Sequence, residues 1–165
     1  MSVIQNGSRG RTNPLNVVEA VASQNGWTLE GTGEDEIVLL VKGSCTDYQI
    51  FFTWMRSLEI LHLACVFNIK IPELRCTEMQ QLVGRINEQL WLGHFDLWTP
   101  DDTILFRQSL PLIGGVRASI QQCEAMLGAA LDACERYYPA FQCVLADTSA
   151  REAMRAVLFE TTGEA

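Results

Sequence analysis

The stretch Asn87–Trp98, NEQLWLGHFDLW, contains the predicted end of one helix and the whole of one predicted strand. Apolar residues at helical spacing begin after Pro72 and continue to Leu90, which predicts a helix over this part of the chain. Gly93 is the predicted end of the helix, because only glycine enters the left-handed backbone conformation without a Cβ penalty. The chain is therefore predicted to reverse at Gly93 and to continue as a strand.

The strand that begins at His94 divides its side chains between two faces, because successive residues of a strand point in opposite directions. His94, Asp96 and Trp98 are predicted to share one face. Phe95 and Leu97 are predicted to enter the core from the other face. This segment should therefore present a polar surface on one side and pack on the domain with the other.

Further strands are predicted on both sides of this stretch. Before it, strongly β-forming runs in hairpin order imply an antiparallel meander, and they are Ile37–Val41, Tyr48–Met55 and Ile60–Phe67, with Trp27–Leu29 as a brief additional candidate. After it, a turn at 100–102 should return the chain as a strand over 103–112. The unbroken aliphatic run of 37–41 suggests a strand that is covered on both faces or lies inside a sheet.

The N-terminal boundary of the domain is predicted at Asn13. Residues 1–12 are polar and aperiodic, which indicates a flexible tail. Asn13 as the N-cap, Pro14 at the first helical position and Gly26 as the stop define a short amphipathic helix. A single domain over residues 13–165 follows from this reading.

Two further helices are predicted near the C-terminus, because Ser119 and Ser149 each begin a capping box. The first of these helices carries one continuous apolar seam, made of Ile120, Cys123, Leu127, Ala130, Cys134, Tyr137, Phe141 and Val144. Such a seam favours packing on the domain's own sheet over a coiled-coil contact with a second subunit. Pro139 lies within the seam and predicts a kink or a restart near Tyr138.

The pattern predicts an α+β fold with an antiparallel sheet of about five strands flanked by helices. The net charge of −8 argues against nucleic acid as a partner, because phosphates would be repelled over most of the surface. Apolar runs are shorter than the ~18 residues that a membrane-spanning helix needs. The first residues lack the apolar core of a secretory signal, so a cytoplasmic location is expected.

The six cysteines form no CxxC pair, and buried free thiols are the favoured interpretation. They are Cys45, Cys65, Cys76, Cys123, Cys134 and Cys143. With two histidines in the chain, a zinc site is not expected, and neither is another cofactor. Glycine pairs at 31–33 and 114–115 read as turns, because they lack the residues of a phosphate-binding loop. No catalytic residue is predicted.

A surface for a partner or a ligand is predicted around the strand at His94. Its candidate residues are Glu88, Trp91, His94, Asp96 and Trp98. The simpler alternative is structural: Phe95 and Leu97 enter the core, and His94 hydrogen-bonds a neighbouring carboxylate. His62 lies between two leucines of a predicted strand and is assigned no role.

Three segments together resemble the YbjN-like family of bacterial proteins, whose members are usually described as sensory transduction regulators. They are NPLNVVEAVASQNGW at Asn13–Trp27, NEQLWLGHFDLW at Asn87–Trp98 and ERYYPAFQ at Glu135–Gln142. The resemblance implies a fold like that of type III secretion chaperones, with helices against a curved antiparallel sheet, and frequent dimerisation. It transfers no catalytic residue.

The leading hypothesis is a non-enzymatic cytoplasmic domain that forms a homodimer and binds an unidentified protein partner, with a regulatory or chaperone-like effect. The alternative is a small-ligand sensor or an enzyme that uses a pocket near Glu88, His94 and Asp96, where a carboxylate and an imidazole could perform acid–base chemistry. A closed pocket at these residues would favour the alternative, and a flat sheet would not.

Overall fold

The computed structural model describes residues 13–162, and the helices and strands follow one another in the predicted order. The helices are α1 (Leu15–Asn25), α2 (Cys76–Asn87), α3 (Ile120–Leu145) and α4 (Ala150–Thr162), with a 3₁₀ helix at Glu73–Arg75 before α2. The strands are β1 (Thr28–Thr32), β2 (Glu36–Lys42), β3 (Asp47–Met55), β4 (Ile60–Val66), β5 (His94–Trp98) and β6 (Thr103–Pro111). The tail predicted over residues 1–12 lies outside the described residues.

All six strands form one open antiparallel sheet in the order β1-β2-β3-β4-β6-β5. The α+β class is confirmed, with one strand more than the predicted five. The additional strand is β1, which pairs with β2 through a bulge between Leu29 and Gly31. Because β6 lies between β4 and β5, β5 is at one edge of the sheet and β1 at the other.

The helices cover one face of this sheet. Ile37, Leu39 and Val41 of β2 are buried, whereas Val38 and Leu40 between them are half-buried. The same alternation continues through β3 and β4. Of the two alternatives predicted for this aliphatic run, a position inside the sheet is therefore correct, since β2 lies between β1 and β3. One face, which we call the open face, carries no helix of the described chain.

The helix that leads into β5 ends earlier than predicted, at Asn87 rather than at Gly93. Its last side chain explains the difference. Asn87 Oδ1 accepts a hydrogen bond of 2.8 Å from the Phe95 N–H, and Asn87 Nδ2 donates one of 3.0 Å to the Phe95 carbonyl. Gly93 does adopt the predicted left-handed conformation, with φ of 69°, but it lies in the connection to β5.

Helix α3 runs through Pro139 without a restart, so of the kink or restart predicted near Tyr138 the restart was wrong. The aromatic residues around the proline pack tightly on the sheet: Phe141 contacts Phe67 and Phe95, with ring centroids 5.6 and 5.2 Å apart. This burial offsets the ~3 kcal/mol that an interior proline costs a helix. The seam is buried as predicted except at its first residue, Ile120, which is exposed.

The cysteines are less uniformly buried than predicted. The fully buried ones are Cys65, Cys123 and Cys134, whereas Cys76 and Cys143 are half-buried. Cys45 is exposed, because it lies in the turn between β2 and β3. The sulfur atoms of Cys65 and Cys134 are 3.6 Å apart, as in a contact between two thiols.

One carboxylate joins helix α3 to the β2–β3 turn. Both oxygens of Glu135 accept the Ser44 N–H at 3.1 Å, and the Ser44 hydroxyl donates to the same carboxylate. Gly43 is needed beside it, since a Cβ there would collide with Glu135 and lie 2.5 Å from the Thr46 carbonyl oxygen. Although partial burial opposes it, hydrogen bonding from Ser44 holds the pKa of Glu135 below its ordinary value.

We expect Glu135 to contribute stability that is present above about pH 4.5 and is lost as the pH falls through its lowered pKa. The reason is that the folded chain stabilises the ionised carboxylate of Glu135 more than the unfolded chain does. Urea unfolding from pH 3 to 7 should show a larger loss on acidification for the wild type than for Glu135→Gln. Glu124→Gln, at an exposed position of α3, is the control and should follow the wild-type curve.

Candidate functional site

Strand β5 presents its polar side chains on the open face, as predicted. His94 is exposed, Asp96 is half-buried and Trp98 is 41% exposed. Phe95 enters the core with 1% exposure, and Leu97 packs against the core while remaining half-buried. Aromatic contacts and the Asn87 hydrogen bonds hold Phe95, so the position of β5 is fixed from both sides.

Arg107 of β6 joins these residues on the open face. It lies opposite His94 in register, and its Nη1 donates to Asp96 Oδ2 at 3.1 Å. Its Nε lies 3.5 Å from His62 Nε2, a long hydrogen bond to the neighbouring strand β4. Three strands thus bring together a group that we call the His62–Arg107 cluster: His62, His94, Asp96 and Arg107.

His62 is held in its neutral form at pH 7. Burial lowers the pKa of His62, and the charges of Arg107 and His94 lower it further. A neutral imidazole can accept the hydrogen bond from Arg107, which a protonated one could not. An anionic group brought to the cluster would find Arg107 already charged and His62 able to become charged.

A cavity of about 330 Å³ lies beside the cluster, where the chain enters β5. It is lined by His62, Trp91, Leu92, Gly93, His94, Arg107, Gln108 and Ser109. Trp91 stands at this site with 98% of its surface exposed, and Leu92 is 56% exposed. The cavity therefore joins basic groups on the sheet to two apolar side chains that contribute little to the core.

The five residues predicted for the site do not form one group. Trp91 and His94 line the cavity, and Asp96 is joined to it through Arg107. Glu88 is exposed just after α2 and does not line this cavity. Trp98 is at the far end of β5, where it lines a separate cavity of about 30 Å³.

Sequence reasoning missed His62 and Arg107 as members of the site. His62 was assigned no role because the order of the strands was unknown, and Arg107 was not considered although its strand was predicted to form a hairpin with the His94 strand. The available signal was positional: an arginine in the strand that returns from the His94 strand must lie close to it across the hairpin.

The site offers charge and apolar surface, with little that resembles catalytic chemistry. Within residues 13–162, no group of three or more His, Cys, Asp or Glu side chains could hold a metal ion. Ser109 lies opposite His62 in register, but His62 Nε2 is directed at Arg107 and accepts its hydrogen bond. Among the described helices, none combines the length and the apolar character needed to cross a membrane.

The fold and the site define a small α+β domain with helices on one side of an open antiparallel sheet and the His62–Arg107 cluster on the other. The family model of YbjN, described as "putative bacterial sensory transduction regulator", matches residues 14–142. The chain therefore belongs to the YbjN family. No curated protein sequence matches the chain, and no solved structure does.

Proposed function

We propose that this protein is a cytoplasmic, non-enzymatic interaction domain that pairs with itself and binds a protein partner in a regulatory or chaperone-like role. The observation that carries the proposal is the open face. Six paired strands have helices on one side, while the other side keeps apolar side chains at its centre. Family membership supports the regulatory role.

The centre of the open face is apolar in three adjacent strands. Val38, Phe51 and Ala64 are directly opposite one another in register, and in the next row the exposed Gln49 separates Leu40 from Val66. The five apolar residues are half-buried although each has neighbouring strands on both sides, so a missing layer is what leaves them exposed. Contiguous apolar surface of this kind is typical of an interaction site. A second copy of the chain could supply that layer with the same surface.

The alternative function is a small-ligand sensor or an enzyme, and the cavity beside the His62–Arg107 cluster is the observation in its favour. Its predicted residues support it less well, because Glu88 lies outside the cavity and Asp96 is paired with Arg107. A pocket that binds a drug-sized ligand usually encloses most of it. This cavity lies on a sheet surface beside an exposed tryptophan, an arrangement that suits a protein segment better.

Self-association is tested with a charge at the centre of the open face. We expect the wild type to sediment as a dimer at micromolar concentration and Phe51→Glu to sediment as a monomer. Glutamate would have to lose its hydration on pairing, which is costly without an opposite charge. Circular dichroism should show that the variant keeps its secondary structure.

Trp91→Ala is the control for this experiment, because Trp91 is exposed but lies outside the apolar centre of the sheet. It should sediment like the wild type. A wild-type chain that stays at the monomer mass over a tenfold rise in concentration would contradict self-association. The open face of a single chain would then remain free for a protein partner.

A further inference from the structure

Strand β6 is longer than the edge strand that pairs with it. β5 pairs with residues 103–107 of β6, whereas β4 pairs with residues 105–111 on the inner side. Gly93, with φ of 69°, turns the preceding chain away from the sheet. Within the part of the chain that the structure describes, residues 108–111 therefore have no strand on their outer edge, and the cavity occupies this place.

The direction of the peptide groups on this edge follows from the Asn87 hydrogen bonds. Phe95 uses its N–H and carbonyl to bind Asn87, so both point away from β6. In an antiparallel pair, hydrogen-bonded and non-hydrogen-bonded residues alternate. Phe95–Phe106 is thus a non-hydrogen-bonded pair, and His94–Arg107 is a hydrogen-bonded one.

The same alternation orients Ser109, two residues beyond Arg107. Its N–H and carbonyl must point outward, toward the position that a continued β5 would occupy. The peptide groups of the even-numbered residues of β6 should then point inward, toward β4. This agrees with the structure, because the Ile104 carbonyl accepts a hydrogen bond from the Phe67 N–H. Ser109 thus offers one free donor and one free acceptor in the cavity.

Pro111 limits how much chain this edge can accept. The peptide groups of residue 111, like those of residue 109, point outward. Because proline has no N–H, the outer edge lacks a hydrogen-bond donor at this position. Proline on an edge strand is a common protection against indefinite strand pairing. The edge is therefore suited to a short extended segment centred on Ser109.

The side chains around Ser109 select the charge of such a segment. The residue placed opposite Ser109 would point to the open face, diagonal to Arg107 and near His62 and His94. The Nη1 and Nε groups of Arg107 already bind Asp96 and His62, so a carboxylate of the segment would bind the remaining Nη2 of its charged guanidinium. Trp91, which lines the cavity, would cover an apolar residue of the segment next to that carboxylate.

We propose that the outer edge of β6 at Ser109 binds an extended segment of a partner protein by strand addition, with an Asp or Glu of the segment beside the His62–Arg107 cluster. This mode of binding rests on the proposed interaction function and specifies it. A second copy of the chain fits this edge poorly, because two-fold pairing centred on Ser109 would place Pro111 of that copy opposite Arg107, where His94 of β5 already pairs.

The probe is a capped hexapeptide of alternating Thr and Val with Glu as its fifth residue, so that one residue follows Glu before β5 is reached, added to the isotope-labelled full chain. We expect saturable binding that slows hydrogen exchange of the Ser109 amide, and binding weakened by roughly tenfold or more when Lys replaces Glu. The same peptide with N-methylated backbone groups should not bind, since strand addition needs its N–H groups.

Two substitutions at one position separate the peptide group from the side chain. Ser109→Pro removes the outward N–H and should abolish binding, whereas Ser109→Ala keeps it and should bind like the wild type. Should Ser109→Pro fail to fold, the N-methylated peptide gives the same comparison on the wild-type chain. Equal binding of the N-methylated peptide, unchanged Ser109 exchange or no binding of the Glu peptide would each overturn the proposal.

The proposed interaction function can survive that result. It would stand if Phe51→Glu still abolished self-association while Ser109→Pro changed nothing, and strand addition alone would be rejected. If Phe51→Glu did not change self-association and the Glu peptide still protected the Ser109 amide, strand addition at β6 would be supported and the proposed dimer surface would be rejected. The two ideas are therefore tested by different variants.

Discussion

Replacing Gly93 by Ala is expected to lower the free energy of unfolding by about 3 kcal/mol, the sum of a left-handed backbone penalty and overpacking. Gly93 has φ of 69°, which side chains with a Cβ rarely adopt. A Cβ at this position would also collide with the Phe106 ring and lie 2.8 Å from the Arg107 carbonyl oxygen. Urea denaturation, with the midpoint compared at unchanged slope, measures the loss.

Two other glycines separate the two causes. Gly26 has φ of 68° and nothing within 4 Å of an added Cβ, so Gly26→Ala should cost only about 1 kcal/mol. Gly84, within α2 and also free of contacts, should give a gain of roughly 0.5–1 kcal/mol on substitution by Ala. If Gly93→Ala lowers the free energy of unfolding by no more than Gly26→Ala does, the close approach of the Cβ to Phe106 does not contribute to the loss.

Gly93 also shows how far sequence reasoning reaches. Its left-handed conformation was predicted because a helix and a strand had to meet within a few residues, and φ of 69° confirms this. The contact with Phe106 was not predictable, because the hairpin of β5 and β6 was predicted without its register. The end of α2 was missed for a similar reason: a hydrogen bond between Asn87 and Phe95, eight residues later, has no periodic pattern.

The site was predictable to the same extent. Strand periodicity correctly placed His94, Asp96 and Trp98 on one face, because that inference uses one strand only. Membership of His62 depends on a strand order in which β6 separates β4 from β5. Local sequence patterns do not determine the order of strands, so they could not predict which residues meet across three strands.

Asn87→Ala is expected to lower the free energy of unfolding by about 2 kcal/mol, because two partly buried backbone groups of Phe95 would lose their partners. The substitution should also increase hydrogen exchange at the Phe95 amide by more than at other amides of the sheet. Alanine itself favours helix, so a weaker α2 would not account for the loss. Urea unfolding and exchange measured on the same sample test both effects.

Asn87→Asp is the matched control, since it keeps the oxygen that accepts from the Phe95 N–H and loses the group that donates to its carbonyl. Its cost should be smaller if the N–H is the group that matters more, and its Phe95 amide should stay protected. Asn87 also occupies the outward-pointing N–H and carbonyl of Phe95, so this part of the outer edge of β5 is not free. Asn87→Ala should therefore extend peptide-induced protection from Ser109 to Phe95. Protection confined to Ser109 in that variant would show that another group keeps the β5 edge closed.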